Sequence, residues 1–548
     1  MLKEADCILL SMNRDEVDSY ESFKRSLSTV CSSAGKLVSP LKGMLVAWYT
    51  EGCTSSFSAL HTAFAFFTRL NLPDLPDLEE KALQDYLQQE VFLSSLDFSC
   101  EEDSIEAGLI SKWFPKRDAP RLYESWNPKN GPGAVADAYN SIAEKYKAFA
   151  FDTRLRYLNH RLPKEDVSLP RLAPSFDRVS KLVFVPKSID KLRTISMEPA
   201  ILQWYQQGFG HNIVSYFHKY KHSLSKRINL ERQDLNRDLA WEGSIDGSFS
   251  TLDLSAASDS VSYRLVKKWF WKSSLMPIYL GCRSLETTLP DGRIMKIDKF
   301  APMGSNLCFP TESIVFAAIT EATIVRSGDD VNTSHYRVYG DDIVVETKYV
   351  PELIIRLNQL GFRVNTSKSF FNTTAPFFRE SCGGEYLDGH DVTPIRLSRK
   401  FSGLDVKGRH PSRIEALIDM CNRCFSRLPS VRRYIICKLN KLPIDYRVLF
   451  DNTGDTGIFS VTPSCHHLGP AKYNPDLQEY YHSCGVRKES SEPNCLKDED
   501  IRLYEYLRIA EHRVRLVYPE DRVVASITRQ KTKIWGRGNT LLPDSSFH

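Results

Sequence analysis

The chain has no strong charge excess, no long apolar run, no repeat and no cysteine framework, and each absence narrows what it can be. Its 72 lysines and arginines are nearly balanced by 68 acids, leaving a formal net charge of +4 over 548 residues. A balance that close permits nucleic-acid binding without demanding it, so local clustering has to carry any such argument. No apolar stretch approaches the roughly 20 residues needed to cross a bilayer. The opening MLKEADCILLSMNRDE sets acids around a short apolar run, unlike the basic-then-apolar layout of a signal peptide. The expectation is a cytosolic protein with no membrane partner. Thirteen cysteines, odd in number and irregularly spaced, read as reduced thiols, so no structural disulfide is expected. With no internal repeat and no low-complexity tract, a solenoid or a biased tail is not expected either.

What is present is globular. A composition 42% hydrophobic and 26% charged supports sizeable cores, and the length suggests roughly three units of about 150 residues. Residues 1–175 read mainly as helices, with Phe57, Leu60, Phe64 and Phe67 at helical spacing. Within 176–245, KLVFVPKSIDKLRTISMEP (181–199) is a strand, a basic turn and a second strand. Strands and helices alternate over 246–400. Over 401–548 helical spacing returns, as in Ile414, Leu417, Ile418 and Met420.

Gly-Asp-Asp occurs twice in SGDDVNTSHYRVYGDD (327–342). The first copy follows ESIVFAAITEATIVRSG, whose apolar residues fill a broad helical face, so Gly328 reads as a helix stop and Asp329 and Asp330 as loop residues. The second is bracketed by Tyr336 and Val338 on one side and Ile343, Val344 and Val345 on the other. These are β-favouring residues, and two strands joined at Gly340 would put Asp341 and Asp342 at a rigid hairpin tip. An ordinary polar turn would look much the same.

More acids decide the matter. In STLDLSAASDS (250–260), Asp253 stands at a strand end and small residues follow it. Three clustered carboxylates repel one another unless divalent cations neutralise them. Hard oxygen ligands suit magnesium, and two such ions about 3.5–4 Å apart would serve attack by a 3′-hydroxyl and departure of pyrophosphate. Lys187, Lys191 and Arg193 in the basic turn would clamp a triphosphate, though turn lysines are often simply solvated. APMGSNLCFPTES (301–313) puts Ser305 and Asn306 ahead of a helix, where they would meet a sugar or template backbone, or merely cap the helix. Lys368 in LGFRVNTSKS would be a proton donor to pyrophosphate or an exposed loop lysine. Cys421 and Cys424 form a Cys-x-x-Cys with Cys465-His466-His467 downstream, but their helical apolar setting favours buried thiols over zinc.

In chain order, VPKSIDKLRTISMEP, DLSAASDS, LPDGRI, the Met-Gly loop with FPTESIVF, YGDDIV, LGFRVNTSKSF and FRESCGGEYLDGHDVTP resemble the catalytic subunit of the replicases of small positive-strand RNA bacteriophages, the levivirus or Qβ type. The resemblance covers about 181–397. It implies an α+β right-handed polymerase, with a mainly helical N-terminal region that is part of the fingers over 1–175, a further fingers segment over 176–245, a palm of antiparallel sheet plus helices over 246–400, and a helical thumb and C-terminal region over 401–548. It implies RNA-directed RNA synthesis without a primer, on a single-stranded RNA template, from ribonucleoside triphosphates. By matched motif, Asp253, Asp341 and Asp342 would hold two Mg2+ ions with the Leu254 carbonyl. Asp259 would lie near the ribose, and Lys187, Lys191 and Arg193 would face the triphosphate. Host elongation factors Tu and Ts and a ribosomal protein are the implied partners, in the cytoplasm of an infected bacterium. Two rivals remain. Reverse transcriptases resemble one another in a bulky aromatic just after the first catalytic acid, and Ser255-Ala256-Ala257 offers no such ring. A non-catalytic RNA-binding protein of polymerase shape would not need all three acids.

Overall fold

The computed structural model describes residues 76–122, 178–188, 191–397, 411–440 and 457–461, parts of 44–68 and 130–137, Lys145, and strand segments at 151–152, 172–173, 450–451, 472–474, 479–491 and 523–534. The chain divides into two compact units, residues 1–65 with 74–394 and residues 66–73 with 395–548.

The first unit opens with helices α1 (Thr54–Ala65), α2 (Pro76–Ser95) and α3 (Ile105–Trp113). Phe57, Leu60 and Phe64 form the buried face of α1 as their spacing predicts; Phe67 lies outside the described residues. Next come the hairpin β1 (Val179–Ser188) and β2 (Lys191–Met197), helices α4 (Ala200–Tyr220) and α5 (Asp234–Asp246), and strands β3 (Phe249–Leu252) and β4 (Leu254–Ser255). Helix α6 (Tyr263–Phe270), strands β5 (Glu286–Thr288) and β6 (Ile294–Lys296) and helix α7 (Cys308–Arg326) precede the hairpin β7 (Tyr336–Tyr339) and β8 (Asp342–Glu346). Helix α8 (Val350–Gln359), strand β9 (Arg363–Val364) and strands β10 (Phe378–Ser381) and β11 (Gly384–Leu387) follow.

The class is α+β, with sheets that are mainly antiparallel. One sheet runs β3-β8-β7 and another β2-β1-β5-β6, in which only the β1–β5 pairing is parallel. Helix α7 is buried along most of its length, which is why it is apolar on every side. It qualifies a sequence expectation: among the described residues it is long and apolar enough to cross a membrane, but 89% of its apolar window is buried inside the fold, so it is a core helix. Its Phe316 shares one core with Phe209, Phe270, Tyr279, Val338, Ile343 and Phe362. Trp269 and Phe270 of α6 are buried there too, so packing, not base stacking, explains them.

In the second unit, α9 (Pro411–Arg423) and α10 (Pro429–Leu439) share a core of Ile395, Met420, Cys421, Cys424, Ile435, Leu439 and Ile458. The helical spacing read after residue 400 is met by these two helices, and the described elements beyond 470 are strands. Strands Lys472–Asn474, Glu479–Ser491 and Val523–Ile534 form an antiparallel sheet. The last of them is rich in β-branched residues (Val523, Val524, Ile527, Thr528, Thr532, Ile534), which lose side-chain freedom in a helix and fit a pleated strand.

A buried ion network ties the early helices to the core. Glu106 on α3 accepts two bonds from Arg326 Nη2, at 2.8 and 2.9 Å, and one from Arg356 Nε at 2.8 Å, while Arg356 also reaches Glu101 at 2.6 Å. Burial raises the Glu106 carboxyl, but the two guanidiniums outweigh it and hold the group below the usual glutamate value. A depressed carboxylate contributes stability above its unfolded pKa and loses it as pH falls through the folded value. Glu106→Ala should therefore cost about 1–3 kcal/mol at neutral pH, because the partly exposed Arg326 and Arg356 lose a charged hydrogen-bond acceptor while Arg356 keeps Glu101, and less in acid. Urea unfolding at pH 7 and pH 3 measures both.

Candidate active site

The two Gly-Asp-Asp copies have different structures. Gly328 follows α7 with φ +82°, and nothing stands where a side chain would project. Beyond it, Asp329 accepts from Lys348 Nζ at 2.9 Å and from the Tyr349 hydroxyl at 2.5 Å, and Asp330 organises a turn with Asn332, Thr333 and Ser334. This copy is a helix stop and a surface turn. Gly340 joins β7 to β8 with φ +62°, and a Cβ there would lie 2.7 Å from the Phe309 ring, so only glycine fits. Its N–H donates to Ser313 Oγ at 2.9 Å, and the Tyr339 ring meets Phe309 edge-on at 4.8 Å. Helix α7 thus grips the hairpin tip that carries Asp341 and Asp342.

The sheet register brings Asp253 to that tip. Leu252 of β3 pairs with Ile343 of β8, so one more antiparallel step sets Asp253 opposite Asp342, with Cα atoms on the order of 5 Å apart. Asp253 is itself braced: its N–H donates to Ser369 Oγ at 3.0 Å, its carbonyl accepts from Asn365 N at 2.9 Å, and its Oδ2 accepts from Asn365 Nδ2 at 2.7 Å. Leu254 faces Val364 of β9. Because Asp253 takes the bond from Asn365, the alternation of the ladder turns the Leu254 carbonyl away from β9.

Electrostatics register the crowding. Burial, then Asp341, pushes the Asp342 carboxyl up to about 7, against bonds from the Cys382 N–H and thiol. Asp341 is raised by burial and by Asp253, opposed by Lys187 and Lys368. Two further acids belong to the cluster. Glu312 of α7, buried beside Asp341 and bonded to Ser258 Oγ at 2.8 Å, is pushed up to about 8; Glu380 of β10, half-buried near Asp342, is also raised to about 8. Neither is among the acids that motif reasoning selects. The available signal was an acid inside an apolar helix, which has no partner visible in sequence. Lys368 faces the cluster: burial lowers its ammonium, but Asp253, Glu380, Asp342 and Asp341 outweigh this and raise it. Lys187 is lowered by burial and by Lys368 and Arg193, with Asp253 and Asp341 opposing.

The remaining candidates divide. Lys191 and Arg193 are exposed on β2, and Arg193 is close enough to act on Lys187. Asp259, in a single helical turn at Ala257–Ser260, has Thr194 Oγ1 of β2 3.5 Å from its Oδ2. The loop before α7 is pinned by Gly304, whose φ of +113° and 2.2 Å approach of a notional Cβ to the Ser196 carbonyl exclude any side chain. Ser305 does not present itself as the sequence suggests. It is buried, its hydroxyl is engaged by Glu198, and it takes a long 3.4 Å bond from Leu307 N. Asn306 is half-buried, held by a 3.2 Å bond from its N–H to Gln206 Oε1. Cys421 and Cys424 are buried thiols, raised by burial to about 11; Cys465, His466 and His467 lie outside the described residues.

As they stand, the acids are electrostatic neighbours and not a closed cage: among the described residues no three His, Cys, Asp or Glu side chains gather as a metal-holding group. An all-oxygen set of mutually repelling carboxylates nevertheless fits magnesium, which keeps several waters and leans on one or two carboxylates plus substrate phosphates.

Residues 163–406 match the sequence model of the family described as RNA replicase, beta-chain, and the clustered acids, Asp259, Lys368 and the basic hairpin all lie within that segment. Among curated proteins, the RNA-directed RNA polymerase subunit beta of Qbeta virus (strain MX1) is 33% identical over 241 residues, which are 43% of this chain and 38% of that protein. The subunit beta of Enterobacteria phage SP is 36% identical over 225 residues, 40% and 36% of the two chains. The RNA-directed RNA polymerase beta chain of Escherichia phage MS2 is 34% identical over 220 residues, 40% and 38%. The matches thus span less than two fifths of each relative's length.

A raised carboxyl stabilises below its unfolded pKa and loses that contribution as pH climbs through the folded value. At pH 8 without divalent cations the Asp342 charge is therefore unfavourable, and Asp342→Asn should raise the melting temperature by about 2 °C or more. The gain should vanish near pH 4, as a thermal melt at each pH will read.

Proposed function

We propose that this chain is the catalytic subunit of an RNA-directed RNA polymerase that replicates a single-stranded RNA phage genome by nucleotidyl transfer. What carries the reading is the convergence of Asp253 with Asp341 and Asp342 at one sheet end, within charge-repelling reach, inside the segment that matches the replicase family. Asp253, Asp341 and Asp342 would hold two magnesium ions. When bound, these supply a more acidic 3′-hydroxyl and charge compensation at the leaving pyrophosphate.

The chain's own residues do the rest. Lys187, with Arg193 beside it and Lys191 on the same hairpin, presents positive charge to the triphosphate. Lys368, its ammonium raised by the surrounding acids, stays protonated at neutral pH and holds a proton for the departing pyrophosphate. Asp259 accepts a ribose hydroxyl. With Ser255, Ala256 and Ala257 after the strand, no ring excludes the 2′-hydroxyl. Fingers, palm and thumb, initiation without a primer, elongation factors Tu and Ts, a ribosomal protein and the bacterial cytoplasm belong to the same proposal and rest on the resemblance alone.

The test is incorporation of labelled ribo- and deoxyribonucleotides on RNA and DNA templates with magnesium. Ribonucleotide incorporation on RNA supports the reading; preference for deoxyribonucleotides would make the chain a reverse transcriptase. Asp341→Asn should abolish synthesis while RNA binding persists, and undiminished synthesis would refute the assignment. Lys368→Gln should slow incorporation by about 10²-fold, measured in single turnover.

A further inference from the structure

One fully buried cation has no part in the reaction above. Lys299, between β6 and α7, has its ammonium 3.3 Å from Asp259 Oδ1, 3.6 Å from Glu90 Oε1 on α2 and 3.2 Å from the centre of the Tyr86 ring, with its side chain 0% exposed. Burial lowers that ammonium, and the two carboxylates oppose the shift. Sequestering an ammonium costs several kcal/mol unless it is well paired, so the position needs a reason.

The pairing is asymmetric. Glu90 is 6% exposed and also accepts the Asp298 N–H at 2.6 Å; it anchors the cation from behind. Asp259 is 22% exposed and forms the open side. Its Oδ1 faces Lys299, while its Oδ2 faces Thr194 Oγ1 of β2 at the long distance of 3.5 Å. β2 is the strand that carries Lys191 and Arg193. One carboxylate oxygen therefore lies in ion-pair contact with the buried ammonium, with no hydrogen bond between them, and the other is turned toward the basic hairpin with lone pairs to offer.

We propose that Lys299 is a positioning residue for sugar selection: it fixes Asp259 Oδ1 so that Oδ2 is presented to a ribose hydroxyl of the incoming nucleotide, with Glu90 and Tyr86 of α2 holding Lys299 in place. The proposal rests on the polymerase reading. Without Lys299, Asp259 rotates freely, and the advantage of a substrate with a 2′-hydroxyl over one without it shrinks.

The measurement is kcat/KM for a ribonucleoside triphosphate divided by that for its 2′-deoxy counterpart, on an RNA template with magnesium. Lys299→Met should lower this ratio about tenfold, mainly by raising KM for the ribonucleotide. Glu90→Gln, which keeps an oxygen acceptor behind Lys299 and leaves Lys299 against Asp259, should lower the ratio less than Lys299→Met does, by at most about threefold. If Lys299→Met does not fold, the double variant Lys299→Met/Glu90→Leu removes both buried charges and should show the same lowered ratio. A ratio unchanged in the folded Lys299 variant, or lowered equally by Glu90→Gln, overturns the proposal. If the unmodified chain incorporates no ribonucleotide, the polymerase reading itself falls.

Discussion

The pairing of β3 with β8 sets everything at the candidate site, because a strand's side chains alternate with a period of two and a slip of one residue would send Asp253 and Asp342 to opposite faces. The register is held from several sides. Ile343 and Leu252 are buried in the core, Asn236 Nδ2 of α5 donates to the Asp342 carbonyl at 3.2 Å, and Ser369 grips the backbone of Asp253. These contacts keep together carboxylates that repel each other, so the arrangement lowers stability locally and depends on the surrounding core to persist. Such a conflict between local electrostatics and global packing is expected where a fold is shaped to receive a charged ligand.

The local signals that sequence carries well are those with strong steric or periodic content. Gly328 and Gly340 precede the same two acids, yet the helical apolar face before one and the β-branched flanks of the other separated a helix stop from a hairpin tip, and the structure has both. The basic strand-turn-strand was legible for the same reason. Glu312 and Glu380 were not, since their significance depends on neighbours from other elements, Asp341 and Asp342 respectively. Ser305 misled because a small polar residue after glycine suggests exposure, whereas the close approach of Gly304 to the Ser196 backbone folds the loop inward and gives the hydroxyl a buried partner in Glu198. Beyond 470 the described elements are strands, and the helical periodicity near 414–420 carries no information about so distant a segment.

The early helices matter more than their weak motif content suggests. α1 contributes His61, paired with the buried Glu385 of β11; α2 contributes Tyr86 and Glu90; α3 contributes Glu106, clasped by Arg326 and Arg356. All lie outside residues 163–406, yet each pairs a charge or ring with an element of that matched segment. A buried ionic group is costly alone and tolerable only when its partner arrives, so these pairs make the early helices and the matched segment interdependent. The segment carrying the polymerase-like motifs therefore holds buried charges, Lys299 above all, whose pairing the preceding helices complete: Asp259 lies on one side of that ammonium and Glu90 on the other. Isolating it would expose those cations to water or leave them short of a partner, and the Lys299–Asp259 pair would lose Glu90 and Tyr86 behind it.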